Sequence, residues 1–284
     1  MRFFLKERTI KDTILYDKLT RSLRTFFKSK LYIEVPVQSR LSILAACEDP
    51  KTVSTFVFDG QSWPLPQTGQ MWLEYELLSK PDITGVFCQS TSYRNEPTPI
   101  LGRHDKIFPM FEFEGRGDMN DLMKLEMELL DHLKIPYNPL VKTYEQIAKH
   151  YGVQVITDKE EADSELLFGN LFIKNFPEFS DPFWNMKRNT DGTAAKVDVI
   201  IKGMETIGSA ERETDTNIMR DRFGSISDGE YAGLLYRHFG KERVEKELDT
   251  YLKLPMVPRF GGGIGLTRLS RYFETEQDKG TINE

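Results

Sequence analysis

The spacing of apolar residues along the chain alternates between a helical and an extended period. Residues 11–30 carry apolar side chains every three or four positions, which predicts an amphipathic helix. The same spacing predicts helices over residues 70–79, 119–133, 143–150, 228–239, 243–252 and 265–273.

Extended stretches rich in β-branched and aromatic residues lie between these helices. They predict strands over residues 31–37, 56–58, 85–93, 107–114, 195–201 and 205–207. Residues 151–188 have the weakest pattern, with short helices near 160–167 and a proline-bounded loop near 177–182. Because strands and helices mix without regular βαβ alternation, the pattern favours an α+β fold, an antiparallel β-sheet flanked by helices.

Composition indicates a folded enzyme-sized chain. The 284 residues are 39% hydrophobic and contain neither a repeat nor a clear linker, which favours one domain over residues 1–284, with a possible insertion at about 142–189. A net charge of −6 gives no general attraction to nucleic acid.

The cysteines and the first 30 residues bear on the cellular location of the protein. Cys47 and Cys88 fit neither a disulfide framework nor a CxxC pair, which predicts a reducing, cytoplasmic environment. The first 30 residues are charged and contain no long apolar run, so we expect no signal peptide and no membrane span.

The first chemically informative block begins at the end of the strand predicted at 85–93. Arg94 and Glu96 lie on one face of an extended chain, and a polar loop with Arg103 and His104 leads to Phe108. An Arg beside a Glu is, by itself, most often a structural ion pair. The order and spacing of the whole block, however, resemble the second signature motif of class II aminoacyl-tRNA synthetases.

This resemblance implies a role for each of these residues in ATP binding. Arg94 would bind the α-phosphate and the substrate carboxylate, and would be the first catalytic residue. Glu96 would accept from the adenine amino group, Arg103 and His104 would hold the distal phosphates, and Phe108 would stack on adenine.

Two further segments resemble the first and third signature motifs of the same family. The predicted helix and strand that close at Pro36 resemble the motif that forms the family's dimer interface, which implies a homodimer. The glycine-rich stretch 261–268 resembles the third motif, read here as a loop that opens the last helix. There Gly263 and Gly265 would let ATP approach the backbone, and Arg268 would cover adenine, reach the γ-phosphate and act in catalysis.

A hairpin with two acids is predicted between these motifs. If Lys202 and Gly203 form the turn, Ile200 opposes Glu205, and Asp198 is the diagonal neighbour of Glu205 on the same face. Carboxylates about 7 Å apart can share Mg²⁺ with phosphate oxygens. In an isolated hairpin we would favour a solvated strand face, but the segment resembles the metal-binding one of asparaginyl and aspartyl synthetases.

The same resemblance implies an amino-acid pocket. Arg212 would grip the substrate side chain, Ser209 stands in the small-residue run beside the amino acid, and Gln70 begins the substrate helix. The aspartyl pattern has Lys and Gln where this chain has Leu73 and Glu74. Because Glu74 could accept a hydrogen bond from an amide, asparagine is predicted to fit better than aspartate.

Together these motifs imply an ATP- and Mg²⁺-dependent, AMP-forming ligase that adenylates asparagine or aspartate. The acyl acceptor stays open among ammonia, a small molecule, a protein and, least favoured, tRNA. One alternative is an AMP-forming asparagine synthetase acting on aspartate and ammonia, with Arg212 on the α-carboxylate. Another is a non-catalytic paralogue that only binds an amino acid or nucleotide. No anticodon-binding domain is expected, since residue 1 lies close to the first motif.

Overall fold

The structure, a computed structural model, describes residues 12–37, 42–44, 50–100, 102–180 and 182–278. Lys11 and Cys47, used in the predictions above, lie outside these residues. The helices in the described part are α1 (Thr13–Ser29), α2 (Gln70–Leu78), α3 (Met119–His132), α4 (Tyr144–Tyr151), α5 (Asp158–Phe168), α6 (Thr216–Ser225), α7 (Glu230–Phe239), α8 (Lys241–Leu252) and α9 (Leu266–Asp278). In this part of the chain, no helix has the length and apolar character needed to cross a membrane.

Most of the strands join in one large sheet. Its order is β1-β4-β5-β10-β9-β8-β7-β6, with parallel pairing only at the two edges among the described residues. A separate hairpin is formed by β2 and β3. The predicted α+β class is confirmed. The strands are β1 (Tyr32–Glu34), β2 (Thr55–Phe58), β3 (Gln61–Pro64), β4 (Gly85–Tyr93), β5 (Ile107–Arg116), β6 (Lys142–Thr143), β7 (Leu171–Phe176), β8 (Ala194–Ile201), β9 (Met204–Glu211) and β10 (Arg259–Gly265).

The glycine-rich stretch is a strand, and its prediction as a loop was wrong. It forms β10, between β5 and β9 in the sheet. A Cβ atom at Gly261 would lie 1.9 Å from Glu114 Oε1, and one at Gly263 would lie 2.7 Å from Met110 Cε. These glycines therefore leave the space that the Glu114 and Met110 side chains of β5 occupy.

The segment 142–189 continues the sheet. Within it, β7 pairs antiparallel with β8, and β6 adds to β7 as an edge strand. Helix α5 contacts both β8 and β9. The segment expected as a possible insertion is therefore joined to the rest of the fold by strand pairing. Strand β7 and helix α6 were not predicted, because β7 lies in the segment of weakest pattern, where Lys174 and Asn175 interrupt its apolar residues, and α6 is largely polar.

Helices α1, α3 and α9 cover one face of the sheet. Their apolar side chains, such as Leu19, Leu130 and Leu269, join Phe111 and Phe113 of β5 in one buried cluster. On β5 the intervening side chains, Glu112 and Glu114, point to the opposite face and are also buried. That opposite face, closed on one side by α2, carries the cavity described next.

Candidate active site

A cavity of about 310 Å³ lies over the central strands of the sheet. Its walls come from the β4–β5 connection, the β8–β9 hairpin, β10, the start of α9 and the start of α2. The predicted site residues that line it are Gln70, Arg94, Glu96, Arg103, His104, Phe108, Glu205, Ser209, Arg212, Gly263, Gly265 and Arg268. Asp198 and Glu74, which complete the predicted set, are not in this lining.

Cationic and aromatic groups share one end of the cavity. The Arg94 guanidinium carbon lies 5.0 Å from the centre of the Phe108 ring, within cation–π range. The Glu96 carboxylate lies 2.9 Å from His104 Nδ1. Arg268 donates from Nη1 to the backbone carbonyl of Glu205, at the hairpin. The structure thus brings together the residues of the second and third motifs.

Arg103 binds neighbouring protein groups, all in or beside the β8–β9 hairpin. Its Nε lies 2.7 Å from Asp158 Oδ1, its Nη1 donates to the Gly203 carbonyl at 3.1 Å, and its Nη2 donates to Glu161. Asp158 and Glu161 belong to α5, which the sequence did not connect with the site. To contact a phosphate, Arg103 would have to exchange these partners.

Asp198 and Glu205 lie side by side above Gly208, at the end of the cavity near the hairpin turn. A Cβ atom at Gly208 would lie 2.5 Å from Glu205 Oε1 and 3.6 Å from Asp198 Oδ1. The predicted pairing of Ile200 with Glu205 is present, with an irregularity between Val199 and Ile200. The hairpin therefore brings the two carboxylates together as the turn predicted.

The two carboxylates differ in their proton affinity. Burial raises the pKa of Asp198, and the ammonium group of Lys196 opposes this rise. For Glu205, burial also acts to raise the pKa, but the positive charges of Lys196 and Arg268 outweigh it and lower the pKa. The two acids therefore influence each other's ionisation, and the Lys196 ammonium favours the charged form of both.

This pair fits a magnesium ion only with help from a substrate. Asp198 Oδ1 is buried and has no hydrogen-bond partner among the described residues, and both acids offer the oxygen ligands that Mg²⁺ prefers. In the described part of the chain, no group of three or more His, Cys, Asp or Glu side chains could hold a metal. Two carboxylates supply only part of the roughly six oxygen ligands that Mg²⁺ takes, so Asp198 and Glu205 would share the ion with phosphate oxygens.

At the other end of the cavity Arg212 is buried but still lines the wall. Its Nε and Nη2 donate to Glu114 Oε1 at 3.1 and 2.5 Å, and Nη2 also donates to Gln70 Oε1 at 2.7 Å. These contacts fix the plane of the guanidinium, which suits it to bind a carboxylate or amide oxygen. Glu114, which the sequence did not identify, has its pKa raised to about 8 by burial, against the lowering effect of Arg212.

Glu74 lies behind this wall and not on it. Its side chain is fully buried, where Oε2 accepts from Arg259 Nε at 2.8 Å and Tyr251 Oη at 2.6 Å, and Oε1 accepts from Asn185 Nδ2 at 2.5 Å. Arg212 Nε is 3.6 Å away. Because these groups fill its acceptor sites, Glu74 orients the cluster around Arg212 and gives no reason to prefer asparagine over aspartate.

The hydroxyl of Ser209, which was predicted to lie beside the amino-acid substrate, is bonded to other protein groups. Its hydroxyl donates to Glu126 Oε1 of α3 at 2.6 Å and to the Val197 carbonyl, so Ser209 lines the cavity without offering its hydroxyl to a substrate. Glu126, which the sequence did not identify, is fully buried, and burial raises its pKa to about 8. The alternation of β9, with Gly208 and Ala210 on the cavity face, could have indicated this orientation.

Glu126 makes the stability of the protein depend on pH. Because its pKa is raised in the folded state, the native protein holds a proton between about pH 4.5 and 8 that the unfolded chain releases, so stability falls as pH rises through this range. We expect Glu126→Gln, which imitates the protonated acid, to lose less stability than the wild type between pH 5 and 9. Urea unfolding at both pH values measures this, and equal losses would contradict it.

A second buried acid, Glu112, anchors the start of α2. It accepts from the Gly69 backbone N–H at 2.9 Å and from the hydroxyls of Thr68 and Ser90. Burial raises its pKa, although these hydrogen bonds oppose the rise. Glu112 therefore sets the position of Gln70, the first residue of α2, in the cavity. The Phe-Glu-Phe-Glu alternation of β5 was the signal for both buried acids.

This sheet, with its cavity of arginines and carboxylates, has the class II synthetase catalytic architecture that the motifs predicted. The chain belongs to the family of class II tRNA synthetases (D, K and N), whose family model matches residues 3–278. No curated protein sequence matches it.

Several solved structures share the fold. An asparaginyl-tRNA synthetase from Pyrococcus horikoshii, complexed with asparaginyl-adenylate, is 21% identical over 91% of this chain and 64% of its own, with a TM-score of 0.72. One from Entamoeba histolytica, also with asparaginyl-adenylate, is 17% identical over 92% and 63%, with a TM-score of 0.72. A putative aspartyl-tRNA synthetase from Leishmania major Friedlin is 16% identical over 91% and 61%, with a TM-score of 0.71. This chain therefore spans less than two thirds of the length of each.

Proposed function

We propose that the chain is an ATP-dependent, AMP-forming ligase that adenylates the carboxylate of asparagine or aspartate. The observation that carries the proposal is the order of charges along one cavity. Arg94, Arg268 and the Asp198–Glu205 pair lie towards one end, and Arg212 with Gln70 lies at the other. A nucleotide and an amino acid laid end to end would match this order.

In the proposed reaction, a carboxylate oxygen of the amino acid attacks the α-phosphorus of ATP. The bond from that phosphorus to the oxygen that bridges to the β-phosphate breaks, and pyrophosphate leaves with the electron pair. Arg94 and Arg268 would offset charge on the phosphates, and the fixed position of Arg212 would orient the amino acid. Mg²⁺ bound by Asp198 and Glu205 would neutralise further phosphate charge.

The amino acid and the acceptor are the open parts of this proposal. Arg259 neutralises the charge of Glu74, so the group on this wall that can contact the substrate side chain is the Arg212 guanidinium. A guanidinium binds a side-chain carboxylate as well as an amide oxygen. ATP–pyrophosphate exchange across all amino acids tests the reaction, and we expect exchange with asparagine or aspartate. Synthesis of asparagine from aspartate and ammonia, without exchange on asparagine, would favour the asparagine synthetase alternative. Binding of these ligands without exchange would favour a non-catalytic paralogue.

Two further expectations belong to the same proposal. Among acceptors, ammonia, a small molecule or a protein is favoured over tRNA because of the acidic net charge. A reducing, cytoplasmic location agrees with Cys88, a free and buried thiol.

We also propose a homodimer formed at the β1 edge of the sheet. Strand β1 is an edge strand of the sheet that ends just before Pro36, and its Ile33 side chain is 48% exposed, so an apolar side chain at this edge lies uncovered in the single chain. Light scattering at micromolar concentration is expected to give the mass of a dimer, and Ile33→Lys to shift it towards a monomer. Val57→Lys, on the separate hairpin and even more exposed, is the matched control that should leave the dimer intact. A monomeric wild type would contradict the proposal.

A further inference from the structure

The positively charged side chain of Lys196 lies beside the Asp198–Glu205 carboxylate pair. It lies on β8, opposite Ala210, and lines the cavity between Arg212 and Asp198. Its Nζ is 2.7 Å from Asp198 Oδ2 and 4.0 Å from the centre of the Phe176 ring. The side chain is 23% exposed, so the ammonium group remains in reach of a molecule in the cavity.

The position of this ammonium conflicts with simple metal binding. A divalent ion on Asp198 would lie within a few ångströms of Nζ, and the two positive charges would repel each other in a partly buried site. A triphosphate supplies more negative charge than the pair alone, so it can hold both cations. The flexible four-carbon stem of lysine lets Nζ move from Asp198 and the Phe176 ring to a phosphate oxygen in the cavity.

We propose that Lys196 is an intrinsic counter-ion of the Asp198–Glu205 pair and a phosphate-binding residue. Without nucleotide its ammonium group balances the carboxylates and keeps divalent ions weakly bound. When ATP enters, Nζ moves to a phosphate oxygen and Asp198 becomes available to the metal. This inference rests on the proposed binding of ATP in the cavity and adds a residue and an order of events to it.

Direct binding measurements test the inference without turnover. Mn²⁺ serves as the probe, and the free ion is followed by electron paramagnetic resonance with the full chain in the absence of nucleotide. We expect Lys196→Met to lower the Kd for Mn²⁺ about tenfold, because the competing charge is removed. Lys196→Arg keeps the charge and is expected to stay within about twofold of the wild type. Adding Asp198→Asn to Lys196→Met should abolish the gain, which locates the ion.

The second arm measures nucleotide binding without metal. With α,β-methylene-ATP in the presence of EDTA, calorimetry is expected to give a Kd about tenfold higher for Lys196→Met, since one phosphate contact is lost. Lys187→Met is the matched control. Lys187 Nζ lies 2.6 Å from Glu211 Oε1 in a comparable ion pair that does not line the cavity, so neither Kd should change.

An unchanged or higher Kd for Mn²⁺ in Lys196→Met, with thermal unfolding like that of the wild type, would overturn the counter-ion role. An unchanged Kd for the nucleotide would overturn the phosphate contact. If Lys196→Met does not fold, the Kd for Mn²⁺ is measured in Lys196→Gln instead. A lower Kd than in the wild type supports the counter-ion role, and an unchanged Kd overturns it. Failure of the proposed ligase activity would appear separately, as absence of exchange in a wild type that still binds Mn²⁺ and nucleotide as described.

Discussion

Replacing Arg94 or Arg268 by alanine is expected to lower amino-acid-dependent ATP–pyrophosphate exchange by about 10²–10³-fold in each case. The magnitude is typical for loss of one preorganised group that stabilises charge in a transition state. Both side chains line the cavity and neither belongs to the buried apolar clusters, so the variants should unfold at nearly the wild-type temperature.

A surface arginine serves as the control for this pair of variants. Arg220 forms an ion pair with Asp249, both about half exposed, and lies away from the cavity lining. Arg220→Ala should therefore exchange at close to the wild-type rate. Near-normal exchange in Arg94→Ala or Arg268→Ala would show that the substituted arginine does not bind the phosphates of ATP.

Glu74→Gln is expected to destabilise the protein by about 3–5 kcal/mol, the usual cost of removing one partner from a buried ion pair. The substitution keeps the shape of the side chain but leaves Arg259, which is fully buried and 2.7 Å from Glu74 Oε2, without its counter-charge. Burial disfavours the charged form of Arg259, so the compensating carboxylate is needed. Urea unfolding at pH 7 measures the difference.

The neighbouring Glu76 offers a matched control on the same helix. It pairs with Lys80 at 2.7 Å, and the lysine is largely exposed, so Glu76→Gln should cost no more than about 1 kcal/mol. An equal loss of unfolding free energy in the two variants would show that the buried Glu74–Arg259 pair contributes no more stability than the exposed Glu76–Lys80 pair. A loss of amide selectivity in Glu74→Gln without loss of stability would instead restore direct recognition of the substrate by Glu74.

The parts of the fold that follow from local pattern were predicted well. Strand β4 begins and ends where the extended stretch of residues 85–93 placed it, and the turn at Lys202 and Gly203 was sufficient to pair Ile200 with Glu205. These features depend on neighbours in sequence. Strand β10 was mistaken because glycines normally break strands, and only its tight packing against Glu114 and Met110 explains them.

The parts of the site that depend on distant residues were not predictable. Glu74 has the position of a substrate residue in the motif, but its partners Arg259 and Tyr251 are far along the chain, and they turn it away from the cavity. Arg103 likewise has the position of a phosphate ligand, whereas its partners come from α5, in the least readable segment. The motifs therefore predicted which residues lie near the cavity, but not which protein groups each of them pairs with.

The central claim is that a carboxylate of the amino acid becomes joined to the α-phosphate of ATP, and isotope transfer measures this directly. Asparagine labelled with ¹⁸O in its α-carboxylate, or aspartate labelled in both carboxylates, is incubated with the protein, ATP, Mg²⁺ and hydroxylamine as a substitute acceptor. If the carboxylate attacks phosphorus, cleavage of the adenylate at the acyl carbon leaves one labelled oxygen on AMP, together with a hydroxamate. We predict singly labelled AMP in amounts equal to the hydroxamate. AMP formed without label from both amino acids would contradict the account.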